Sequence, residues 1–143
     1  MKLRVVELLL ISTIPAMALA ERGLPPLGIT VATLLGGTLA AGSANAFNQV
    51  IEKDIDELMQ RTKRRPLVEK QLTSRESLIF ATLVGILSLS IFWIFTTPLA
   101  TFLTLFAIAY YVIVYTILLK RRTSQNIVWG GAAGCMPVLI GWA

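Results

Sequence analysis

The chain has 143 residues, 55% hydrophobic and 15% charged, with a mean hydropathy of +0.72, a balance that excludes both a water-soluble globular domain and a disordered chain. Thirteen Lys and Arg against eight Asp and Glu give a net charge of +5, and on so apolar a chain this excess points to membrane topology and not to nucleic acid. The single cysteine, Cys135, excludes an internal disulfide, and the absence of histidine excludes imidazole catalysis and His-held metal or heme from these residues.

Five apolar runs follow one another, at residues 5–20, 27–51, 78–96, 99–119 and 127–143, and each reads as a transmembrane helix. The first resembles a secretory signal, with a basic start, Pro15 and Ala18-Leu19-Ala20 before Glu21. Glu7 interrupts its apolar core, however, and the run reads as a retained helix. The second carries Asn45 and Asn48 in its last turns, where amides are costly unless they meet partners or a polar cavity. A long polar loop, residues 52–77, leads to the third and fourth runs, which are joined by a short uncharged turn at Thr97 and Pro98. A basic loop, residues 120–126, leads to the fifth. There Gly130, Gly131 and Gly134 suit close helix packing or space for a flat ligand, Pro137 marks a kink, and Cys135 is expected to be buried. This run stops at Ala143 while still apolar, so a piece of a larger membrane protein is expected.

The cations orient the bundle. Lys2 and Arg4, seven in the 52–77 loop, and Lys120, Arg121 and Arg122 fall on one side, leaving Arg22 on the other. The positive-inside rule makes the first side cytoplasmic, with the amino terminus and both polar loops inside, and the expected location is the cell inner (plasma) membrane.

The informative stretch is residues 45–66, NAFNQVIEKDIDELMQRTKRRP. Asn48, Glu52 and Asp56 are spaced i, i+4, i+8, so on a continued helix each step climbs about 6 Å and drifts about 40°. Their oxygens then line one face near an interface, which is the donor set that Mg2+ on a substrate phosphate takes. Asp54 lies on the opposite side of an ideal helix; it joins the site only if the helix ends or loosens near Glu52, or else meets a loop cation. The same acids also read as a solvated juxtamembrane cluster balanced by Arg61, Lys63, Arg64 and Arg65. The two amides favour the site, as do cations able to hold the far side of a polyphosphate.

A second cluster, residues 115–126, is YTILLKRRTSQN. Basic residues at a cytoplasmic helix end are ordinary anchors. Thr123 and Asn126 nonetheless read as caps of the next helix, and a helix amino terminus beside Lys120, Arg121 and Arg122 favours phosphate oxygens. Glu7, with Arg4 one turn below it, reads either as a functional intramembrane acid or as half of a snorkelling pair.

At these two clusters the chain resembles the UbiA-type membrane prenyltransferases, and within them the heme O synthase branch. The superfamily's first acidic motif, Asn, three residues, Asp, three residues, Asp, falls on Asn48, Glu52 and Asp56, with Glu replacing the middle Asp. DIDELMQRTKRRP, YTILLKRRTSQN, VELLLIST (residues 6–13) and NIVWGGAAGCMPVLIGW (residues 126–142) extend the likeness over almost the whole chain. The resemblance implies an all-α polytopic transmembrane bundle of about nine helices, of which this single domain, residues 1–143, is the amino-terminal half, with a second acidic motif beyond Ala143. It also implies Mg2+-dependent transfer of a farnesyl group from farnesyl diphosphate to a vinyl group of heme b, with release of diphosphate. Asn48, Glu52 and Asp56, joined by Asp54, would then hold metal and diphosphate, while Arg61, Arg65, Lys120 and Arg121 clamp the phosphates. The implied partners are the lipid bilayer and membrane proteins of the heme pathway or of oxidase assembly. A half with one acidic face is expected to be inactive alone. Two alternatives stay open: the same chemistry on a quinone or chlorophyll-type acceptor, and a transport or structural subunit whose loops are only anchors. The latter leaves the shared face of Asn48, Glu52 and Asp56 unexplained.

Overall fold

The computed structural model describes residues 3–58, 60, 62, 67, 69, 72–120, 122–123 and 125–143, with residues 3–5 as backbone alone. Six helices follow in order: α1 (Leu3–Ala20), α2 (Leu27–Ile51), α3 (Lys53–Leu58), α4 (Ser74–Phe95), α5 (Pro98–Leu119) and α6 (Asn126–Trp142). The fold is an all-α membrane bundle. Helices α2, α4 and α5, at 25, 22 and 22 residues, are long and apolar enough to cross a membrane. The expected first and fifth spans, α1 and α6, have 18 and 17 residues. At 1.5 Å per residue they reach about 25–27 Å, just short of a hydrocarbon core of about 30 Å.

Local chemistry sets the boundaries. Helix α1 ends in a Schellman turn, with Gly23 N donating to Ala18 O at 3.0 Å and Arg22 N to Leu19 O at 3.3 Å. The left-handed position of this turn is held by Arg22, at φ 54°, where glycine is the usual occupant. Helix α4 starts at Ser74, ahead of its apolar run, because Thr73 and Glu76 form a capping box: Glu76 N donates to Thr73 Oγ1 at 3.2 Å and Thr73 N to Glu76 Oε2 at 2.8 Å. Thr97 caps α5 by accepting from Ala100 N at 3.0 Å, and Pro98 takes the first turn.

Lipid supplies no hydrophobic drive between helices, so small residues and interhelical hydrogen bonds hold the bundle together. Helix α2 packs most extensively on α4. Along that seam Ser43 Oγ donates to Ala81 O and Ser88 Oγ to Gly36 O, both at 2.7 Å. Gly36 admits the ring of Phe92, which a Cβ there would meet at 2.7 Å. Helix α1 packs chiefly on α6, where a Cβ at Gly141 would stand 2.8 Å from the carbonyl of Thr13. One residue sits otherwise than expected. Cys135 is exposed, because the inner face of α6 is the one bearing Gly130, Ala133, Gly134 and Pro137. Glu7 is exposed, in keeping with the snorkelling one of its two readings.

Candidate functional site

The site is built where α2 runs into α3. Glu52 N donates to Asn48 O at 3.0 Å and Asp56 N to Glu52 O at 2.8 Å. The i to i+4 pattern thus passes through the junction even though Glu52 itself relaxes to φ −100°, ψ 13°. Asn48, Glu52 and Asp56 are therefore stacked on one face, and all three are buried, at 6%, 3% and 4% exposure. The relaxation at Glu52 does not turn Asp54 inward; that residue is exposed. Asp56 O accepts from Thr62 Oγ1 at 3.0 Å, which brings the buried Thr62 against the same face.

Lys120 arrives from the end of α5. Its Nζ lies 2.6 Å from both carboxylate oxygens of Glu52, as an aligned hydrogen bond to Oε2. Among the described residues, Oε1 is a buried oxygen with no aligned donor. The lysine is one-third exposed and the glutamate nearly sealed, so the pair can open from the lysine side. The Lys120 ammonium also stands 5.7 Å from the centre of the Tyr115 ring, within cation–π range. That ring is 5.2 Å from the ring of Tyr111. It lies so close to α6 that a Cβ on Gly130 would come 2.6 Å from its Cε2.

The backbone explains why lysine and tyrosine share a face. From Tyr110 to Leu119 helix α5 is π-helical, with bonds such as Lys120 N to Tyr115 O at 3.0 Å. In an α-helix a residue five positions on lies about 140° around the axis, whereas the i to i+5 pattern of a π-helix stacks it over its predecessor. Tyr115 and Lys120 therefore both look inward, as do Tyr111 and Thr116. Thr116 is fully buried, with Oγ1 2.9 Å from Tyr111 O and 3.1 Å from the Asn48 side-chain oxygen. One hydroxyl proton cannot serve both acceptors. Both contacts are satisfied when the Asn48 amide turns over, so that its nitrogen donates to Thr116; Asn48 itself lines a cavity.

That cavity, of about 740 Å3, runs down the inside of α1, α2, α5 and α6, within the range of about 300–1,000 Å3 usual for small-molecule sites. Asn45, Asn48, Gln49, Thr62 and Lys120 line one end, and the depth is mostly apolar. Asn45 meets its amide cost by donating to Ala41 O at 2.7 Å. Among the described residues no group of three or more His, Cys, Asp or Glu side chains converges on one point. Arg61, Arg65 and Arg121, the other expected phosphate ligands, lie outside the described residues. The expected caps of α6 differ: Thr123 Oγ1 accepts from Gln125 N at 3.0 Å in a turn before the helix, and Asn126 is already helical, so Gln125 takes the cap position without a side-chain bond. Sequence reasoning missed Tyr111, Tyr115 and Thr116, which read as ordinary apolar span. A π segment leaves no signal in residue spacing. Thr62 could have been found from its place between the acids and the arginines.

Comparison with known proteins bears on what such a cavity serves. The model of the UbiA prenyltransferase family matches residues 9–143. The chain belongs to that family. Similar family members include the "Protoheme IX farnesyltransferase" of Pseudarthrobacter chlorophenolicus, 59% identical over 99% of this chain and 44% of that protein. Those of Paenarthrobacter aurescens and Leifsonia xyli subsp. xyli are each 58% identical over 99% of the chain, which covers 44% and 46% of their lengths. The chain thus spans a little under half the length of the curated relatives it matches. No solved structure matches it.

Proposed function

We propose that this chain is the diphosphate-binding half of a membrane prenyltransferase that transfers the farnesyl group of farnesyl diphosphate to heme b, giving heme O. The observation that carries the reading is the cavity itself: Asn48 and Lys120 line one end of a mostly apolar channel, with Glu52 buried against Lys120 and Asp56 stacked beyond it on the same helix face. An amphiphile with an anionic head and a hydrocarbon tail matches both ends. The names of the similar proteins support farnesyl as the tail and protoheme IX, heme b, as the acceptor.

Asn48, Glu52 and Asp56 fit a hard divalent cation such as Mg2+. They offer oxygen ligands, Glu52 Oε1 has no aligned donor among the described residues and only the Lys120 ion pair to give up, and Mg2+ on a phosphate needs just one or two carboxylates. When bound, the ion would neutralise charge on the leaving diphosphate. Lys120 balances Glu52 in the absence of ligand and, being the accessible partner, is free to turn to the phosphates. Arg61, Arg65 and Arg121 are assigned to the same clamp, and Asp54 to an outer position on the cation-rich loop. As the allylic carbon–oxygen bond breaks and diphosphate leaves, the apolar walls exclude water from the developing allylic cation. The terminal vinyl carbon of heme captures it to form the new carbon–carbon bond, and the cation this leaves on the vinyl carbon next to the ring takes up one water and releases a proton, giving the hydroxyl of heme O. The bundle would lie in the plasma membrane with its amino terminus and this mouth on the cytoplasmic side.

The test is to purify the full-length protein carrying this chain, supply Mg2+, farnesyl diphosphate and heme b, and examine pigments by mass spectrometry. Farnesylated heme is expected. A farnesylated quinone or chlorophyll-type product in its place would move the acceptor assignment, and binding without any transfer would sink the enzymatic reading.

A further inference from the structure

Heme O carries a hydroxyl, so the reaction proposed above consumes one water inside a cavity whose walls otherwise keep water out. The cation that takes it up is two carbon–carbon bonds of about 1.5 Å from the allylic carbon that left the phosphate. It therefore lies within about one helical turn, about 5.4 Å, of the level of Asn48 and Lys120. On α2 that place belongs to Asn45, which lines the cavity three residues inward from Asn48, about 4.5 Å at the α-helical rise. Farther in, the lining of α2 is Ala44, Ala41, Ala40 and Gly37 before a polar side chain returns at Thr33.

The Asn45 amide has a fixed orientation. The atom 2.7 Å from Ala41 O must be the nitrogen, because a carbonyl oxygen only accepts. That bond serves the nitrogen alone. Oδ1 is left as an acceptor, and among the described residues no group donates to it. An amide oxygen within a membrane bundle is costly without a partner. A water that donates one hydrogen to Oδ1 and the other to the departing diphosphate has the two polar partners that a held water needs, and its lone pair is left for carbon. We infer that Asn45 is the positioning residue that presents this water to the cation next to the heme ring. The water oxygen forms the new carbon–oxygen bond, its proton passes to the diphosphate already released, and the hydroxyl stays on carbon. The inference rests on the prenyl-transfer reading above and adds to it the residue that decides the fate of the second cation. With no water held, that cation loses a proton from the neighbouring CH2 to diphosphate, which leaves a carbon–carbon double bond and a product lighter by one water.

The experiment reads the partition of that cation. The full-length protein carrying this chain is given heme b, farnesyl diphosphate and Mg2+ in water labelled with heavy oxygen. The hydrated and dehydrated farnesyl hemes are separated by chromatography and counted by mass spectrometry. Both arise from one cation, so partial loss of folded protein or of turnover leaves their ratio unchanged. The unaltered protein is expected to give chiefly the hydroxyl product, carrying the label. Asn45→Leu, which removes the acceptor at similar volume, should lower the hydrated-to-dehydrated ratio about tenfold or more, whereas Asn45→Asp, which keeps an acceptor oxygen, should hold it within about threefold. Should the Leu variant fail to fold, Asn45→Val and Asn45→Ala carry the test. An unchanged ratio in apolar variants that still farnesylate heme would overturn the role of Asn45 while leaving the enzyme reading intact. Transfer of no farnesyl by the unaltered protein would overturn the enzyme reading and this inference together.

Discussion

Replacing Thr116 by Val removes one hydroxyl at nearly constant volume, in a place where every atom of the side chain is buried. The hydroxyl joins Tyr111 O at 2.9 Å to the Asn48 amide at 3.1 Å, so two polar groups lose their link at once. An interhelical hydrogen bond within a membrane bundle averages about 0.6 kcal/mol and reaches about 1.7, whereas a buried polar group left without a partner costs about 1–3 kcal/mol. Asn48 still lines the cavity, which places the change in the lower part of the second range. Thr116→Val should therefore lower stability by about 1–2 kcal/mol. The amide, no longer held, should also lose its aim at the site. We expect turnover in the full-length protein to fall at least fivefold, equivalent to about 1 kcal/mol in the barrier. Thr116→Ser, which keeps the hydroxyl, should recover most of both losses. Thermal unfolding in detergent reads the first effect and heme product formation the second. A Thr116→Val protein with the original unfolding midpoint and the original turnover would refute the reasoning from hydrogen bonds to orientation.

Asp56→Asn keeps the shape of a side chain that is 4% exposed and removes one charge; turnover of the full-length protein at limiting Mg2+ should drop at least tenfold, about 1.4 kcal/mol, and normal turnover would remove this face from the diphosphate site. Arg22→Gly should relieve the left-handed strain at φ 54° and raise stability by about 0.5–1 kcal/mol, seen as a higher unfolding midpoint, with no change or a decrease counting against the Schellman assignment. With the exposed Cys135 first changed to Ala, a cysteine at Gln60 should react only with reagents that reach the cytoplasm and one at Gly23 with reagents outside; labelling of the former by a membrane-impermeant reagent in intact cells would invert the topology.

Hydropathy was enough to place the five apolar helices, because burial in lipid writes itself into composition over some twenty residues. It misplaced the start of α4 by four residues, since Thr73 and Glu76 work through hydrogen bonds that hydropathy does not weigh. The stacking of Asn48, Glu52 and Asp56 was legible too, as spacing alone fixes a helix face. The pairing of Glu52 with Lys120 was not: the two residues are 68 apart in sequence, and each was expected to meet a different part of the ligand. Cys135 was misjudged for a related reason. A small apolar residue on a membrane helix can face inward or outward at similar cost, and the decision came from the neighbouring glycines that hold Tyr115 and Thr13.

The π segment of α5 makes chain length, and not only chain composition, a heritable constraint. A helix in this form accommodates more residues in each turn than an α-helix does. Loss of one codon between Tyr110 and Leu119 would let the segment relax to the commoner form, and each residue removed from an α-helix rotates everything beyond it by about 100°. Lys120 would swing off Glu52 and the direction of entry into α6 would change, although no side chain in contact with the cavity had been altered. Deletions here should therefore be far more damaging than most substitutions at the same positions, and a one-residue gap in an otherwise alignable sequence should mark a protein with a differently built mouth.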